Sequence, residues 1–424
     1  MNKNFLALGL AAALLAPQVA GAEGFAINEW SAEGVAMGGA RMFAEDDAAN
    51  VAYNPASITK VKGEVMKSSY TYLSPHGNYK LYDSNNDEIK GEPTHNKVHA
   101  GWAVGSYYVR QINDKEWFGI GAFPRFAMVS EFERASKAST NAFFSKLNGV
   151  SVTPTYAHKF DKKWSAAVGA EINYVGLELQ KNLVIPTAGV NGTTQIEGES
   201  YALGWNAAAN YAFDDKNEIG VVYRSRIKHS LEADLKGYGT KSPASPLVGS
   251  NDVFGNAYGV VTLPDSWDIG YNHKFDKKTR LELKATRTNW STYDALNVYF
   301  DKSLVGIPGI AESSPSAKNW SNSWRYAIGL EHNFSDKYAA MAGFAFDESS
   351  IPYNGGDFMV PTGLRRTYSI GARYNDKKQT VAVALGWMDV GNLDFAGHAT
   401  DAYKSAHAYD SFTKIASISY QRKF

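Results

Sequence analysis

Charged and carboxamide side chains recur at even spacing within several segments, Asp268, Asn272 and Lys274, Glu282 and Lys284, and Arg224 and Arg226, and Arg325 and Arg373 hold the polar positions of two further alternating segments. In an extended chain that spacing puts such groups on one face. Opposite signs on a shared wet face pair with each other, so the chemistry is electrostatic anchoring rather than group transfer. Reaction motifs are missing. The nine His residues are scattered without a His-Glu-x-x-His helix, and no Gly-x-Ser-x-Gly turn or phosphate loop occurs. Asp83, Asn85 and Asp87 have the odd-position spacing of a calcium loop, but Glu88 replaces its turn glycine and Thr94 its closing acid. No enzyme activity, cofactor or bound metal is expected.

Strands must position these charges. Trp324, Tyr326, Ile328 and Leu330 interleave with Arg325, Ala327, Gly329 and Glu331, and Tyr368, Ile370, Ala372 and Tyr374 interleave with Ser369, Gly371 and Arg373. An apolar face toward lipid and a polar face toward a lumen is the pattern of a membrane barrel. Tight turns at Asp114-Lys115, Asp161-Lys162, Asp215-Lys216, Asp276-Lys277, Asp336-Lys337 and Asp376-Lys377 separate such runs, with longer connections between them. Six turns imply seven strand pairs, hence an all-β fold: a 14-stranded antiparallel transmembrane β-barrel. Asp301-Lys302 follows Asp276 too soon and reads as the start of a long loop; as a turn it would raise the count to sixteen.

The two ends indicate the compartment. Lys3 precedes an apolar run from Phe5 to Ala16, Pro17 breaks it, and Ala20-Gly21-Ala22 has the form of a signal-peptidase site, so residues 1–22 read as a signal peptide. The chain finishes on an alternating run from Ile415 to Tyr420 and an aromatic Phe424, as bacterial outer-membrane barrels commonly do. Equal numbers of basic and acidic residues, 43 of each, remove any electrostatic case for nucleic acid. Cysteine is absent, so stability must come from closure of the sheet. The expectation is a monomeric, multi-pass protein of the bacterial outer membrane, surrounded by its lipids and lipopolysaccharide.

Residues 23–62 do not alternate. Ser31 can cap a short helix through Ala32 and Glu33, Gly38-Gly39 interrupts it, Glu45-Asp46-Asp47 opens another Ala-rich turn, and Asn54-Pro55 ends that one. A piece of this kind cannot line lipid. It is expected to be a small N-terminal helical hatch domain plugging the lumen of a barrel formed by residues 63–424; a disordered periplasmic tail is the alternative.

Two further features stand out. The segment from Arg125 to Asn148 reads as helical and carries Phe126, Met128, Val129, Phe132, Phe143 and Phe144, either a hydrophobic capture patch or a packing surface for neighbouring loops. Gly119, Gly121 and Pro124 lie in the third strand, where proline removes a ladder donor and glycines permit a bulge, so a kink is expected there.

Gly24-Phe25-Ala26-Ile27-Asn28-Glu29-Trp30-Ser31, Asp46-Asp47-Ala48, Val51 and Asn54-Pro55-Ala56 resemble the N-terminal hatch of the FadL family of outer-membrane long-chain fatty-acid transporters. The likeness continues through Leu263-Pro264, Asn289-Trp290-Ser291, Trp324-Arg325-Tyr326, Gly343-Phe344-Ala345-Phe346-Asp347 and Tyr368-Ser369-Ile370-Gly371. Pro361-Thr362-Gly363-Leu364-Arg365 departs from it, lacking the acidic residues the family often carries between that Pro and Arg.

The resemblance implies passive uptake of long-chain fatty acids or related hydrophobic molecules. Substrate would be caught by apolar loops, held in a lumenal pocket, and released sideways at the third strand after the hatch rearranges. It places Phe25, Asn28, Glu29, Asn54, Pro55 and Ala56 in the gate, and Lys181, just beyond the fifth strand, and Lys318, just before the tenth, near the family's carboxylate-binding cations. Gly119, Gly121 and Pro124 would form the lateral opening. Aromatic-hydrocarbon uptake within the same family, a general porin, and a surface adhesin using loops such as Ser242 to Asn256 and Val390 to Tyr409 are the competing functions.

Overall fold

Alternation is borne out along Ser323–Asn333. Tyr326, Ile328 and Leu330 are exposed on the outer face, while Arg325, Ala327 and Glu331, on the alternate positions, are buried within. The computed structural model describes residues 24–91, 95–98, 100–185, 190–239, 253–301 and 313–424. The expected signal peptide and most of the Ser242 to Asn256 loop lie outside the described residues.

Fourteen antiparallel staves close on themselves. They are β1 (Glu64–Tyr82), β2 (Gly101–Gln111), β3 (Glu116–Phe123 and Ala127–Glu131), β4 (Phe144–Lys159), β5 (Trp164–Ile185), β6 (Val190–Ala212) and β7 (Asn217–Arg224 and Ile227–Gly239). The second half comprises β8 (Val253–Leu263 and Ser266–Lys274), β9 (Thr279–Thr288 and Ala295–Phe300), β10 (Ser313–Ala317 and Ser323–Asn333), β11 (Tyr338–Asp347), β12 (Arg365–Asn375), β13 (Gln379–Val390 and Leu393–Ala396) and β14 (Ser405–Lys423). Each pairs with the next, and β14 returns to β1 from Val65 opposite Lys423 to Tyr82 opposite Ser405. Closure satisfies the edge strands that lipid could not hydrogen-bond. No helix among the described residues is long and apolar enough to cross a membrane.

All six Asp-Lys turns lie between consecutive staves at one end. Side-chain oxygens fix them: Asp161 Oδ1 accepts from the amides of Lys163 and Trp164, and Asp276 Oδ1 from those of Lys278 and Thr279, all at 2.7 Å, while in three other turns the residue before the Asp accepts instead, namely Asn113, Asp214 and Ser335. Asp301 instead follows β9 and opens the connection to β10, so the count is fourteen and not sixteen.

Lumenal charges pair as expected. Asp268 accepts from Arg224 at 2.7 Å and faces Lys284 at 3.1 Å; Glu331 takes Arg280 at 2.9 Å and Arg373 at 2.6 Å. Arg226 is a correction. Ser225 and Arg226 interrupt β7, shifting the alternation by one residue, so Arg226 points outward and meets Asp265 at 3.1 Å.

Candidate functional site

Residues 24–62 run inside the closed sheet. The Ser31 hydroxyl caps α1 (Ala32–Ala36) by accepting from Gly34 N at 3.1 Å; α2 (Asn50–Tyr53) ends at Asn54, whose carboxamide starts a 3₁₀ turn over Pro55–Lys60. Staves on opposite sides hold this segment. Arg325 donates to the Gly38 carbonyl at 2.9 Å, Ser419 accepts from Ala32 N at 2.8 Å, and Asn54 donates to Asn210 at 2.7 Å. Asp47 sits between Arg41 at 3.1 Å and Lys67 at 2.9 Å. Burial alone would raise this carboxyl, but Lys67 and Arg41 outweigh that effect and hold it well below the usual carboxylate range.

Close approach on the far side depends on small residues in the wall. Inward-facing Gly329, Gly343 and Gly371 lie on the adjacent staves β10, β11 and β12 against residues 36–38. A Cβ on Gly343 would stand 2.2 Å from Gly38 N. Gly38 itself has φ +62°, which glycine adopts without strain.

The kink falls at Pro124. Ladder pairing of β3 with β2 runs from Gln111 opposite Trp117 to Ser106 opposite Ala122 and stops there, leaving Gly101 to Gly105 of β2 without β3 partners. Beyond the break, β3 pairs with hatch backbone instead: Ile27 N donates to Arg125 O at 2.8 Å and Ala127 N to Phe25 O at 2.9 Å. Gly119 and Gly121 do not make the kink. Both sit in regular ladder opposite Val109 and Tyr107, and their missing side chains admit Val51 of the hatch.

Above the hatch lies an apolar cluster. Phe25 sits 4.8 Å from the ring of Trp290, 5.3 Å from Tyr293, and 5.9 Å from both Trp320 and Phe126. Met128 and Phe132 join the same cluster, with Phe358, Phe395 and Tyr403. The helical reading of residues 125–148 is therefore corrected. They form the ends of β3 and β4 around one 3₁₀ turn, Lys137–Thr140, and Phe126, Met128 and Phe132 are buried rather than displayed. Phe143 packs under the Arg134 guanidinium at 4.9 Å, and Phe144 is half-buried on the outward parity of β4.

The two lysines differ in their surroundings. Lys181 is not beyond β5 but within it, opposite Thr194, on the inward parity with Leu177 and Leu179. Lys318 lies between the two parts of β10, fully buried, and its ammonium donates to Asp357 and to Ser316 Oγ at 3.0 Å. Arg365 donates to Thr362 Oγ1 at 2.8 Å and to Gly24 O at 3.1 Å, so the Pro361 to Arg365 segment still binds the hatch without acids of its own. Asp83 Oδ1 accepts from the amides of Asn85 at 2.8 Å and Asp87 at 3.0 Å, which makes it a turn residue.

Cavities flank this arrangement at both ends. A vestibule of about 1220 Å³ at the tight-turn end is lined by charge, including Glu33, Arg41, Asp47, Arg280 and Glu331. A void of about 60 Å³ on the apolar side is lined by Tyr79, Met128, Met359, Val360 and Arg365. The small void, where Asn96, Ser130, Thr362 and Arg365 mix with Tyr79, Met128, Met359 and Val360, adjoins the aromatic cluster that suits a hydrophobic molecule, whereas charged side chains ring the vestibule. Sequence reasoning did not nominate Asp357, Asn141 or Phe358; an acid set in the apolar run Gly355-Gly356-Asp357-Phe358-Met359-Val360 was the available signal.

Known proteins are similar throughout. The long-chain fatty acid transport protein of Escherichia coli (strain K12) is 23% identical over 421 residues, covering 90% of this chain and 91% of that one. Outer membrane protein P1 of Haemophilus influenzae is 23% identical over 423 residues, with 88% and 86% covered. Among solved structures, a Pseudomonas aeruginosa FadL homologue superposes with TM-score 0.83 at 17% identity, covering 95% of this chain and 100% of that one. The Pseudomonas putida toluene transporter TodX gives 0.70 at 15% identity with the same coverage. The family model described as outer membrane protein transport protein (OMPP1/FadL/TodX) matches residues 13–424, and this chain, a barrel of the bacterial outer membrane and not an enzyme, belongs to that family.

Proposed function

We propose that this protein carries long-chain fatty acids or related hydrophobic compounds passively across the outer membrane. The observation that carries the reading is a family match over nearly the whole chain, on a barrel whose interior holds an apolar cluster directly above its own N-terminal segment. Relatives whose names state long-chain fatty acid transport cover nine-tenths of the chain.

In this reading residues 1–22 are a signal peptide, 23–62 a hatch and 63–424 the barrel. Phe126, Met128 and Phe132 receive the ligand once the outer loops part, because a void of about 60 Å³ has room for only about two waters. Phe143 and Phe144, near the loop rim, contribute to capture. Phe25, Asn28, Glu29, Asn54, Pro55 and Ala56 belong to the moving gate. The ligand leaves sideways where β2 and β3 part at Pro124, and no cofactor or metal takes part. The protein works as a monomer among outer-membrane lipids and lipopolysaccharide.

Expression in a bacterial host lacking its own fatty-acid transporter tests this. Restored uptake of labelled palmitate is expected. Restored toluene uptake without palmitate uptake would favour the aromatic-hydrocarbon alternative, and conductance of ions and sugars alone would favour a porin.

A further inference from the structure

Among the described residues Lys318 is the most deeply buried cation of the apolar half of the lumen, and its charge is already answered. The Asp357 carboxylate accepts from the Lys318 ammonium through Oδ2, while Oδ1 accepts from the amides of Met359 at 3.0 Å and Val360 at 3.2 Å. The segment carrying Asp357 is held in turn. Phe358 N donates to Asn141 Oδ1 at 3.0 Å, Ser130 Oγ donates to the Phe358 carbonyl at 2.9 Å, and the Phe358 ring packs on Tyr79 and Phe132.

Asp357 and Lys318 are 3% and 1% exposed at their side chains. An acidic head group arriving there has two routes. It can displace Asp357, which strands a buried carboxylate and two amides, or it can sit beside Asp357, which sets two like charges together in a poorly solvated place. An uncharged head group faces neither cost.

Resting on the transport reading, we propose that Asp357 is a specificity-determining residue. It occupies the anion position at Lys318, so this end of the lumen does not select for a carboxylate and admits uncharged hydrophobic molecules about as readily as fatty acids.

Purified full-length protein in detergent is titrated with palmitate and with hexadecanol, which share chain length and differ in head-group charge. The wild type is expected to favour palmitate by less than tenfold. Asp357→Asn keeps the amide acceptor and frees the lysine, so palmitate binding should tighten tenfold or more while hexadecanol stays within twofold. Lys318→Met with Asp357→Leu removes both charges and should retain the wild-type ratio, provided heat-modifiable gel mobility shows a closed barrel. A wild type favouring palmitate by more than tenfold, an unchanged ratio in Asp357→Asn, or a tenfold loss of palmitate binding in the double variant would overturn the role of Asp357. Failure of the wild type to bind either ligand would instead remove the transport reading, and this inference with it.

Discussion

Trp30 donates its indole N–H to the Pro124 carbonyl across 2.6 Å, joining the segment inside the barrel to the break in its wall. The contact links two features that are far apart in the chain. Arg224 packs over the same indole at 5.5 Å, and Tyr107 donates to the Trp30 carbonyl at 2.8 Å, so the residue is fixed from three staves. Trp30→Phe keeps an aromatic side chain, though a smaller one, and removes the donor, leaving a buried carbonyl unpaired at a cost of about 1–3 kcal/mol. Amide exchange across residues 24–40 is expected to quicken about tenfold while β5 and β6 stay protected. Equal protection in both proteins would show that the bond does not hold the hatch.

Rebuilding residues 121–126 as a regular alternating strand should restore β2–β3 pairing beyond Ala122. The barrel is expected to fold and palmitate uptake to fall at least fivefold. Undiminished uptake would place the exit elsewhere.

Lys181 and Lys318 should respond oppositely to removal. Lys318→Met strands the Asp357 carboxylate in an apolar setting, a loss of about 3–5 kcal/mol that chemical unfolding would detect. Lys181→Met leaves no such orphan. It is expected to weaken palmitate binding about threefold while sparing hexadecane; equal loss for both ligands would reject a charge role.

Asp47 sets an acid limit on the hatch. Its carboxyl titrates below the usual carboxylate range in the folded protein, so its contribution is present above about pH 4 and disappears as pH falls through the folded value. Exchange protection of α1 and α2 should be flat from pH 5 to 7 in the wild type. Asp47→Asn should lower it throughout that range, and unchanged protection would mean that Lys67 and Arg41 do not anchor the hatch through this acid.

Gly343→Val introduces bulk where the wall meets Gly38, and backbone there cannot yield as a flexible side chain could. The outer face keeps its alternation, so the barrel should still close. The hatch should not: single-channel recordings are expected to show ion leak several-fold above wild type. Wild-type conductance would mean that the plug tolerates displacement from β11.

The strands, their faces and the tight turns were legible because a two-residue period is a local property, written in consecutive side chains such as Tyr326, Ile328 and Leu330. Short-range signals also marked the caps at Ser31 and Asn54. What the sequence left open was decided by contacts between distant segments. Gly119 and Gly121 looked like a bulge but admit Val51, Arg226 turned outward because two residues interrupt β7, and Phe126 was buried by Phe25 and Trp290 rather than exposed. Lys318 became a neutralised cation only because the pairing of β10 with β11 and β12 brought Asp357, 39 residues on in the β11–β12 connection, against it. Ion-pair partners inside a barrel are chosen by shear and closure, which no local period encodes.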